Sequence, residues 1–326
     1  MTAKKPWSCC KSTRNETRTN ENKTRINENK ARISKNKVRI DETVTKREMI
    51  MYKRILYQEP ALNELKKEYT FIDMHVHTKY SHDSLTNIPL LLKKAAQHKI
   101  GIAITDHVRA EGALKAARQR KVLVIPGIEV NTKENKELLL YFYSVKDLEE
   151  FYEKYIREEL TYRKHSRYHL VDTVKAFKIG LGMDELVEEA DEYACLKSIP
   201  HPYTFPRRRS HRFFDKNKRA GTMRKIDAIE VLNASMLPRM NRQATNWAIR
   251  KGKSFTGGSD AHIASELGHA LTASKADTVE EFLDCIRKEK NFVLGKEIKF
   301  SRAARNYRKA MKIKRHKNLG FNSNEF

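Results

Sequence analysis

At 326 residues, the chain is long enough for one large α/β domain or for two ordinary domains. Its formal net charge of +25 is concentrated at the ends, where residues 1–48 hold 14 Lys and Arg against 6 Asp and Glu, and residues 296–326 hold 10 against 2. No apolar run approaches the roughly 18 residues of a membrane-spanning helix, and the sequence shows neither a signal core nor a zinc or disulfide cysteine pattern. We therefore expect a cytoplasmic protein with no membrane partner, whose basic ends either bind anions such as nucleic acid or remain solvated tails.

The first 48 residues form a basic arm of low complexity. A seven-residue repeat places Ile26, Ile33 and Ile40 in phase. A coiled coil needs apolar residues at two positions of each heptad, and here only one is strongly apolar. We predict that residues 1–48 are mostly disordered or weakly helical. Residues 49–68 then lead into the main domain, and a chain that starts at Met49 or Met51 should fold as the full chain does.

Between residues 69 and 295, short β-type runs alternate with helical patterns. Strands are predicted at 70–77, 100–107, 122–130, 137–143, 194–202, 227–233 and 253–262. Helices are predicted at 88–99, 110–121 and 238–252, and another follows residue 275. Such alternation indicates parallel strands joined by right-handed crossovers. We predict an α/β barrel of seven strands, with a flat doubly wound sheet as the alternative. The C-terminal segment 296–326 contains a predicted basic helix at 302–317.

Histidines and carboxylates stand at the ends of five of the seven predicted strands. Parallel barrel strands direct their C-terminal ends to one rim, and alternate residues such as those of an HxH pair point to the same side. Imidazole and carboxylate donors together suit zinc, manganese or iron. The sequence therefore predicts a divalent-metal site at this rim. The residues concerned are His75, His77, His107, Glu129, His201, Asp260 and His262.

Five motifs occur in a characteristic order: DMHVHTKYSHDS, AITDH, GIEV, PHP and GGSDAH. In this order they resemble the motifs of the PHP family (polymerase and histidinol phosphatase), from about Phe71 to Gly268. The resemblance implies a distorted (β/α)7 barrel with basic terminal extensions. It also implies a cluster of two or three metal ions that hydrolyses phosphate esters, with histidinol phosphate, nucleotides and oligonucleotides among the substrates of the family.

The same resemblance implies a set of ligands for each ion. Asp83 is a fallback ligand in case its neighbour His82 does not bind. We expect Asp73 and Asp106 to accept hydrogen bonds from imidazole N–H groups and so to fix their tautomers. The implied ligands are His75, His77, Glu129 and Asp260 for the first ion, Glu129 and His201 for the second, and His82, His107 and His262 for the third.

One position departs from the family pattern. Members of the family usually place a histidine shortly after the glutamate, around the start of the fourth strand, whereas NTKENKELLLYFY contains none. Lys136, Glu137 or Leu139 takes that place, depending on the alignment. Only Glu137 could substitute as an oxygen ligand, so the number of metal ions stays open.

A strongly basic segment, residues 205–225, follows the PHP motif directly. It carries nine Lys and Arg against one Asp. We expect Arg207, Arg208 and Arg209 to bind the phosphate of the substrate, and Phe213 and Phe214 to stack on a base. A solvated charged loop is the alternative interpretation.

These observations favour hydrolysis of a phosphate ester by a metal-activated water. We expect a phosphorylated substrate, in the first place a nucleotide or a nucleic-acid end. The alternatives are a small-molecule phosphatase of the histidinol phosphate type and a protein of this fold that binds RNA without catalysis.

Overall fold

The computed structural model describes residues 46–57, 65–159, 178–204 and 208–296. The chain divides into two units, residues 1–49 and 50–326, and the site discussed below lies in the second. The heptad repeats, the predicted helix at 302–317 and Arg207 lie outside the described residues. Within the described ranges, no helix is long and apolar enough to cross a membrane.

Ten strands form one curled sheet. Its order is β1-β10-β9-β2-β3-β4-β5-β6-β7-β8. An isolated parallel bridge joins Val76, the last residue of β2, to Ala261, just after β8, so the sheet curls back on itself. The α/β barrel prediction is therefore confirmed, and a flat doubly wound sheet is excluded. The strands are β1 Ile55–Leu56, β2 Thr70–Val76, β3 Gly101–Ile104, β4 Val124–Asn131, β5 Glu137–Phe142, β6 Cys195–Ile199, β7 Ala228–Asn233, β8 Ser254–Gly258, β9 Ala270–Ser274 and β10 Phe292–Gly295.

A glycine permits this curl. A Cβ atom added at Gly258 would lie only 2.5 Å from the backbone nitrogen of His75, closer than real Cβ contacts allow. The second glycine of the GGSDAH motif therefore lets the end of β8 approach β2. This contact brings the two motifs richest in histidine and aspartate together.

The prediction that the strands are all parallel is wrong. β5 is antiparallel to both β4 and β6, and β9 is antiparallel to both β2 and β10. Only residues 132–136 connect β4 to β5, where the backbone N–H of Thr132 donates to the carbonyl of Lys136. A connection this short makes a hairpin, because a parallel crossover needs a dozen or more residues. The three strands that the sequence pattern did not reveal, β1, β9 and β10, have five residues or fewer.

Helices cover the outside of the sheet where the sequence predicts them. The second helix begins after Asn87, whose side chain accepts from the N–H of Leu90, and it ends at Lys99 in the left-handed region. The helix at 238–251 begins with a proline and ends at Gly252, also left-handed. The helices are α1 Lys46–Lys53, α2 Ile88–His98, α3 Glu111–Ala117, α4 Val145–Tyr152, α5 Met183–Ala190, α6 His211–Phe214, α7 Ala220–Lys225, α8 Pro238–Lys251 and α9 Val279–Arg287, with a π-helical turn at Glu153–Arg157 and 3-10 turns at Asn217–Arg219 and Ala264–Glu266.

Buried Asn291 joins the first and last strands to the rest of the sheet. Its side-chain oxygen accepts from Arg54 at 2.7 Å, and its amide donates to the carbonyl of Phe255 at 2.8 Å. We expect Asn291→Ala to lower the free energy of unfolding by about 1–3 kcal/mol, because it leaves buried partners unsatisfied. Urea unfolding would measure this, with exposed Lys290→Ala as the control, expected to change it by less than about 0.5 kcal/mol. Equal effects of the two substitutions would contradict this role of Asn291.

Candidate metal centre

The residues that the motifs single out lie together at one end of the barrel. His75 and Glu129 are in β2 and β4, and the others directly follow β2, β3, β6 and β8. Most of these side chains are buried, and the most exposed, His262, is 21% accessible. The rim predicted from the strand ends therefore exists as a single cluster. Five overlapping groups of three ligand atoms, each within 4.8 Å of one another, are found in it.

Glu129 is at the centre of the cluster. Its Oε2 atom lies 3.4 Å from His75 Nε2 and 2.9 Å from His107 Nδ1. Its other oxygen, Oε1, lies 3.3 Å from His201 Nε2. One carboxylate thus faces histidines of three different strands, as a bridging ligand requires.

Asp260 is the second carboxylate that lies close to several histidines. Its Oδ1 atom lies 3.2 Å from His77 Nε2 and 3.6 Å from His75 Nε2. A separation of 3.6 Å is too long for a hydrogen bond. Two atoms bound to one zinc ion at about 2.0–2.2 Å lie about 3.4 Å apart in a tetrahedral shell. The spacing of these atoms therefore fits ligands of a shared ion better than partners of each other.

A third group surrounds Asp83. Its two carboxylate oxygens lie 3.3 Å from His262 Nε2, 3.5 Å from His82 Nε2 and 3.6 Å from His107 Nε2. The histidines implied for the third ion thus share one carboxylate. The structure places both His82 and Asp83 in this group, so the fallback residue joins the expected one.

Glu137 is the residue at the position where the family histidine is missing. It is the first residue of β5 and is 2% exposed. Its carboxylate lies 3.9 Å from His201 Nε2, and it forms a ligand group with His107 and Glu129. Of the three alternatives left open at this position, Glu137 is the one that the structure brings to the cluster.

The donor set fits a divalent cation. His77 Nε2 and Glu129 Oε1 are buried and make no aligned hydrogen bond with any described residue. Buried polar atoms normally have partners, and those without one need an explanation such as an ion. Imidazoles and carboxylates that converge in this way are the donors that zinc, manganese and iron prefer.

A residue that the sequence analysis missed orients these ligands. Glu230, in β7, lies 3.0 Å from His75 Nδ1 and accepts from the backbone N–H of His201 at 2.9 Å. Ser81 takes the same role for the neighbouring imidazole, with its Oγ atom 3.0 Å from His77 Nδ1. Such contacts fix which ring nitrogen faces the centre. A glutamate within the apolar strand AIEVLN was the available signal for Glu230.

The expected role of Asp73 and Asp106 is wrong. Asp73 accepts from the backbone N–H groups of Ser259 and Gly268, both at 2.8 Å. Asp106 accepts from the backbone and hydroxyl of Thr78. Both carboxylates therefore hold loops in place around the cluster. Burial raises the pKa of each to about 6, against the lowering effect of these hydrogen bonds.

The carboxylates also set the charge of the imidazoles. Burial lowers the pKa of His75, but Glu230, Asp260 and Glu129 outweigh it and raise that pKa well above the usual value. Burial and the neighbouring imidazole of His262 lower the pKa of His77 to about 3. Against the lowering effect of burial, the carboxylates also raise the pKa of His107 to about 10, that of His262 to about 9 and that of His201, so among these imidazoles only that of His77 is held neutral.

Two members of the cluster have unusual backbone conformations. His201 has a φ of 26° and Asp260 a φ of 54°, both in the left-handed region. Val108, the residue after His107, has a φ of 47°, which is rare for a β-branched side chain. Each such conformation costs about 1–3 kcal/mol, and strain of this kind gathers at functional sites.

The structure divides the arginine run of residues 207–209. Arg208 faces the cluster, with Nη2 2.9 Å from Glu137 Oε1, and the carboxylate raises its pKa. Arg209 turns away, and its Nε donates to the carbonyl of Thr204 at 3.2 Å. Arg207 lies outside the described residues. Base stacking on the two phenylalanines is not supported, since Phe214 is buried and the guanidinium of Arg219 covers Phe213 at 4.4 Å.

Several known proteins are similar to parts of this chain. The family model PHP-associated matches residues 238–291. PsfC from Pseudomonas syringae superposes with a TM-score of 0.52 at 15% identity, over 76% of this chain and 98% of PsfC. A lesion-specific endonuclease from Pyrococcus furiosus superposes with a TM-score of 0.52 at 21% identity, over 69% of this chain. The resemblance to the PHP family is confirmed.

An uncharacterized protein of Methanocaldococcus jannaschii is 26% identical over 227 residues, which cover 66% of this chain and 78% of the relative. Endonuclease Q, solved with a 27-mer duplex that carries an abasic lesion, has a TM-score of 0.52 at 20% identity. This chain spans 57% of the length of each endonuclease. At these identities the structural similarity establishes a shared PHP-type fold.

Proposed function

We propose that this protein is a metal-dependent phosphoesterase that acts on a nucleotide or a nucleic-acid end. One observation carries the proposal: buried Glu129 faces His75 and His107 with one oxygen and His201 with the other. A carboxylate shared in this way is the arrangement that holds neighbouring cations. Closely spaced cations are suited to phosphate esters, whose negative oxygens repel a nucleophile.

The ligands are proposed as three sets around Glu129. Divalent ions bound there, two or three in number and zinc, manganese or iron by donor type, would lower the pKa of water and neutralise phosphate charge. Glu137 would complete the second set in place of the missing histidine. The proposed ligands are His75, His77, Glu129 and Asp260, then Glu129, Glu137 and His201, then His82, Asp83, His107 and His262.

The remaining residues orient the substrate. Arg208 is 37% exposed beside the cluster, so its guanidinium can donate to phosphate oxygens while Glu137 holds it in position. Among the proposed ligands, the most accessible side chains are those of His262, His82 and Asp260, at 21%, 14% and 11%. A phosphate ester would therefore approach between Arg208 and these three ligands.

The charge of the chain supports a nucleic-acid substrate over a small monoester. The formal net charge of +25 and the basic segment 205–225 attract polyanions. Endonuclease Q, which shares the fold, was solved on duplex DNA. A histidinol phosphate type substrate would need only the cluster and Arg208.

Salt dependence tests this choice. Each phosphate held by a cationic side chain of the protein releases counterions, so log K for a single strand should fall with log salt by about 0.7 per contact. We expect a steep slope for an oligonucleotide and a shallow one for nitrophenyl phosphate, measured as kcat/KM from about 0.05 to 0.3 M salt. Equal shallow slopes would favour the small-molecule phosphatase, and no hydrolysis of either substrate would contradict the enzyme.

Glu230 offers a test of ligand positioning. In Glu230→Gln an amide NH2 would face either the imidazole of His75 or the N–H of His201, so one contact becomes repulsive. We expect metal affinity to fall about 10–100-fold. Competition with a chromophoric chelator would measure the affinity, with the melting temperature as the control for folding. Unchanged affinity in a folded variant would contradict the role of Glu230.

A further inference from the structure

We propose that a cationic cavity beside the metal centre is a second phosphate subsite, which binds a phosphate of the substrate other than the one that is cleaved. This inference rests on the proposed function and deepens it, because it makes molecules with at least two phosphates the preferred substrates. The cavity lies between the loop after β6 and the start of α8.

The cavity has the charge and the size for such a group. Its volume is about 360 Å³, and three arginines line it: Arg209, Arg212 and Arg239. None of its described lining residues is acidic, and neither Arg212 nor Arg239 pairs with a carboxylate among the described residues. Three guanidinium groups around one space are stabilised by an anion that can accept several hydrogen bonds, and phosphate does so best.

One wall of the cavity is a rigid aromatic pair. The rings of Tyr203 and His211 stack at 3.9 Å with an interplanar angle of 8°. His211 is fixed by a contact of 3.0 Å between its Nδ1 and the carbonyl of Pro202. Burial lowers the pKa of His211, and Arg209 and Arg212 lower it further, so the imidazole stays neutral beside the arginines. A flat, fixed wall next to cations suits a nucleoside with its phosphate.

Short connections link the cavity to the metal centre on two sides. Tyr203 follows the ligand His201 by two residues. In the turn before α8, Ser235 donates to the carbonyls of Ser259 and Asp260, at 3.2 and 3.4 Å. The two neighbouring arginines also link the sites, since Arg208 pairs with Glu137 of the cluster and the next residue, Arg209, lines the cavity. The cavity and the metal centre therefore lie on adjoining segments of the chain, as a substrate bound at both positions requires.

A larger cavity, of about 630 Å³, is a weaker candidate. It lies at the opposite end of β2, near Thr70. Its charges are already matched, as in the pairs Lys275–Glu68 and Lys288–Asp284. It therefore shows no preference for an anion.

The test compares two probes on the metal-loaded full chain by calorimetry: adenosine 3′,5′-bisphosphate and adenosine 5′-monophosphate. We expect Arg212→Ala and Arg239→Ala each to reduce the preference for the bisphosphate about tenfold, because each removes a charge-assisted contact. Arg239→Lys should recover part of the preference. Arg242→Ala, on the exposed side of the same helix, is the matched control and should leave it unchanged.

Equal loss of affinity for both probes, or no loss for either, would overturn the subsite. A second arm distinguishes a polymer from a small bisphosphate: a tetranucleotide is compared with the same strand carrying a neutral methylphosphonate at its second linkage. Sensitivity of that linkage to Arg239→Ala assigns the subsite to a strand, and insensitivity with the bisphosphate effect retained assigns it to a small molecule. If the wild type hydrolyses no phosphate ester, the proposed function fails while the binding result still decides the subsite.

Discussion

Replacing Glu129 by glutamine should reduce phosphodiester hydrolysis by about 1000-fold or more, the largest effect of any single change that we expect. The carboxylate faces His75 and His107 with one oxygen and His201 with the other, so two of the three proposed ligand sets lose a charged ligand at once and His107 of the third set loses its contact. Glutamine keeps the size of the side chain but offers only one oxygen and places an amide NH2 in the cluster. Steady-state kcat/KM on bis(nitrophenyl) phosphate and metal content per chain would measure the effect.

The control for Glu129→Gln is the same substitution away from the cluster. Glu111 in α3 accepts from the hydroxyl of Tyr152, and Glu111→Gln should keep the rate and the metal content of the wild type. Near-wild-type hydrolysis by a folded Glu129→Gln protein would show that the reaction takes place elsewhere.

Asp260→Asn is the second large effect, with an expected loss of about 100–1000-fold in kcat/KM. Asp260 has a φ of 54°, and asparagine tolerates the left-handed region as well as aspartate does. The substitution therefore removes the charge beside His75 and His77 without straining the backbone. Metal affinity should fall with the rate, and added metal ion should restore part of the activity.

Comparison of Asp260→Asn with Asp260→Ala separates the effect of the lost charge from the effect of the strained backbone. Alanine loses the ligand and also accommodates the left-handed conformation poorly, so it should lower both activity and the melting temperature. If Asp260→Asn retained the full rate without added metal, Asp260 would hold the loop after β8 and not an ion.

The clustering of the site could be predicted because its signals are local. His75 and His77 share one motif, and strand ends meet at one rim whichever strands lie between them. The direction of β5 does not follow from the alternation of strands and helices, because it is set by the short connection at 132–136, which allows only a hairpin. Glu137 could be predicted only as one of three alternatives. Which residue at the start of β5 faces the cluster depends on the conformation of the preceding turn, which the sequence pattern does not give.

Partners far apart in sequence were beyond prediction. Asp73 was expected to bind an imidazole because histidines are its neighbours in sequence, yet it holds Ser259 and Gly268, which are 186 and 195 residues away. Glu230 was missed for the same reason, since its partner His75 lies 155 residues away in a different strand. The opposite directions of Arg208 and Arg209 depend on where α6 begins, and a run of identical charges carries no signal of this.

The most direct test of the central claim measures metal content and phosphodiester hydrolysis on the same sample. The full chain is stripped with a chelator, reloaded with manganese or zinc in steps, and assayed at each step by elemental analysis and with bis(nitrophenyl) phosphate. We predict that activity disappears with the metal and returns in proportion as two or three ions bind per chain, and that the Glu129→Gln protein binds fewer ions and stays inactive. Full hydrolysis by the metal-free protein, or two to three bound ions with no hydrolysis of any phosphate ester, would contradict it.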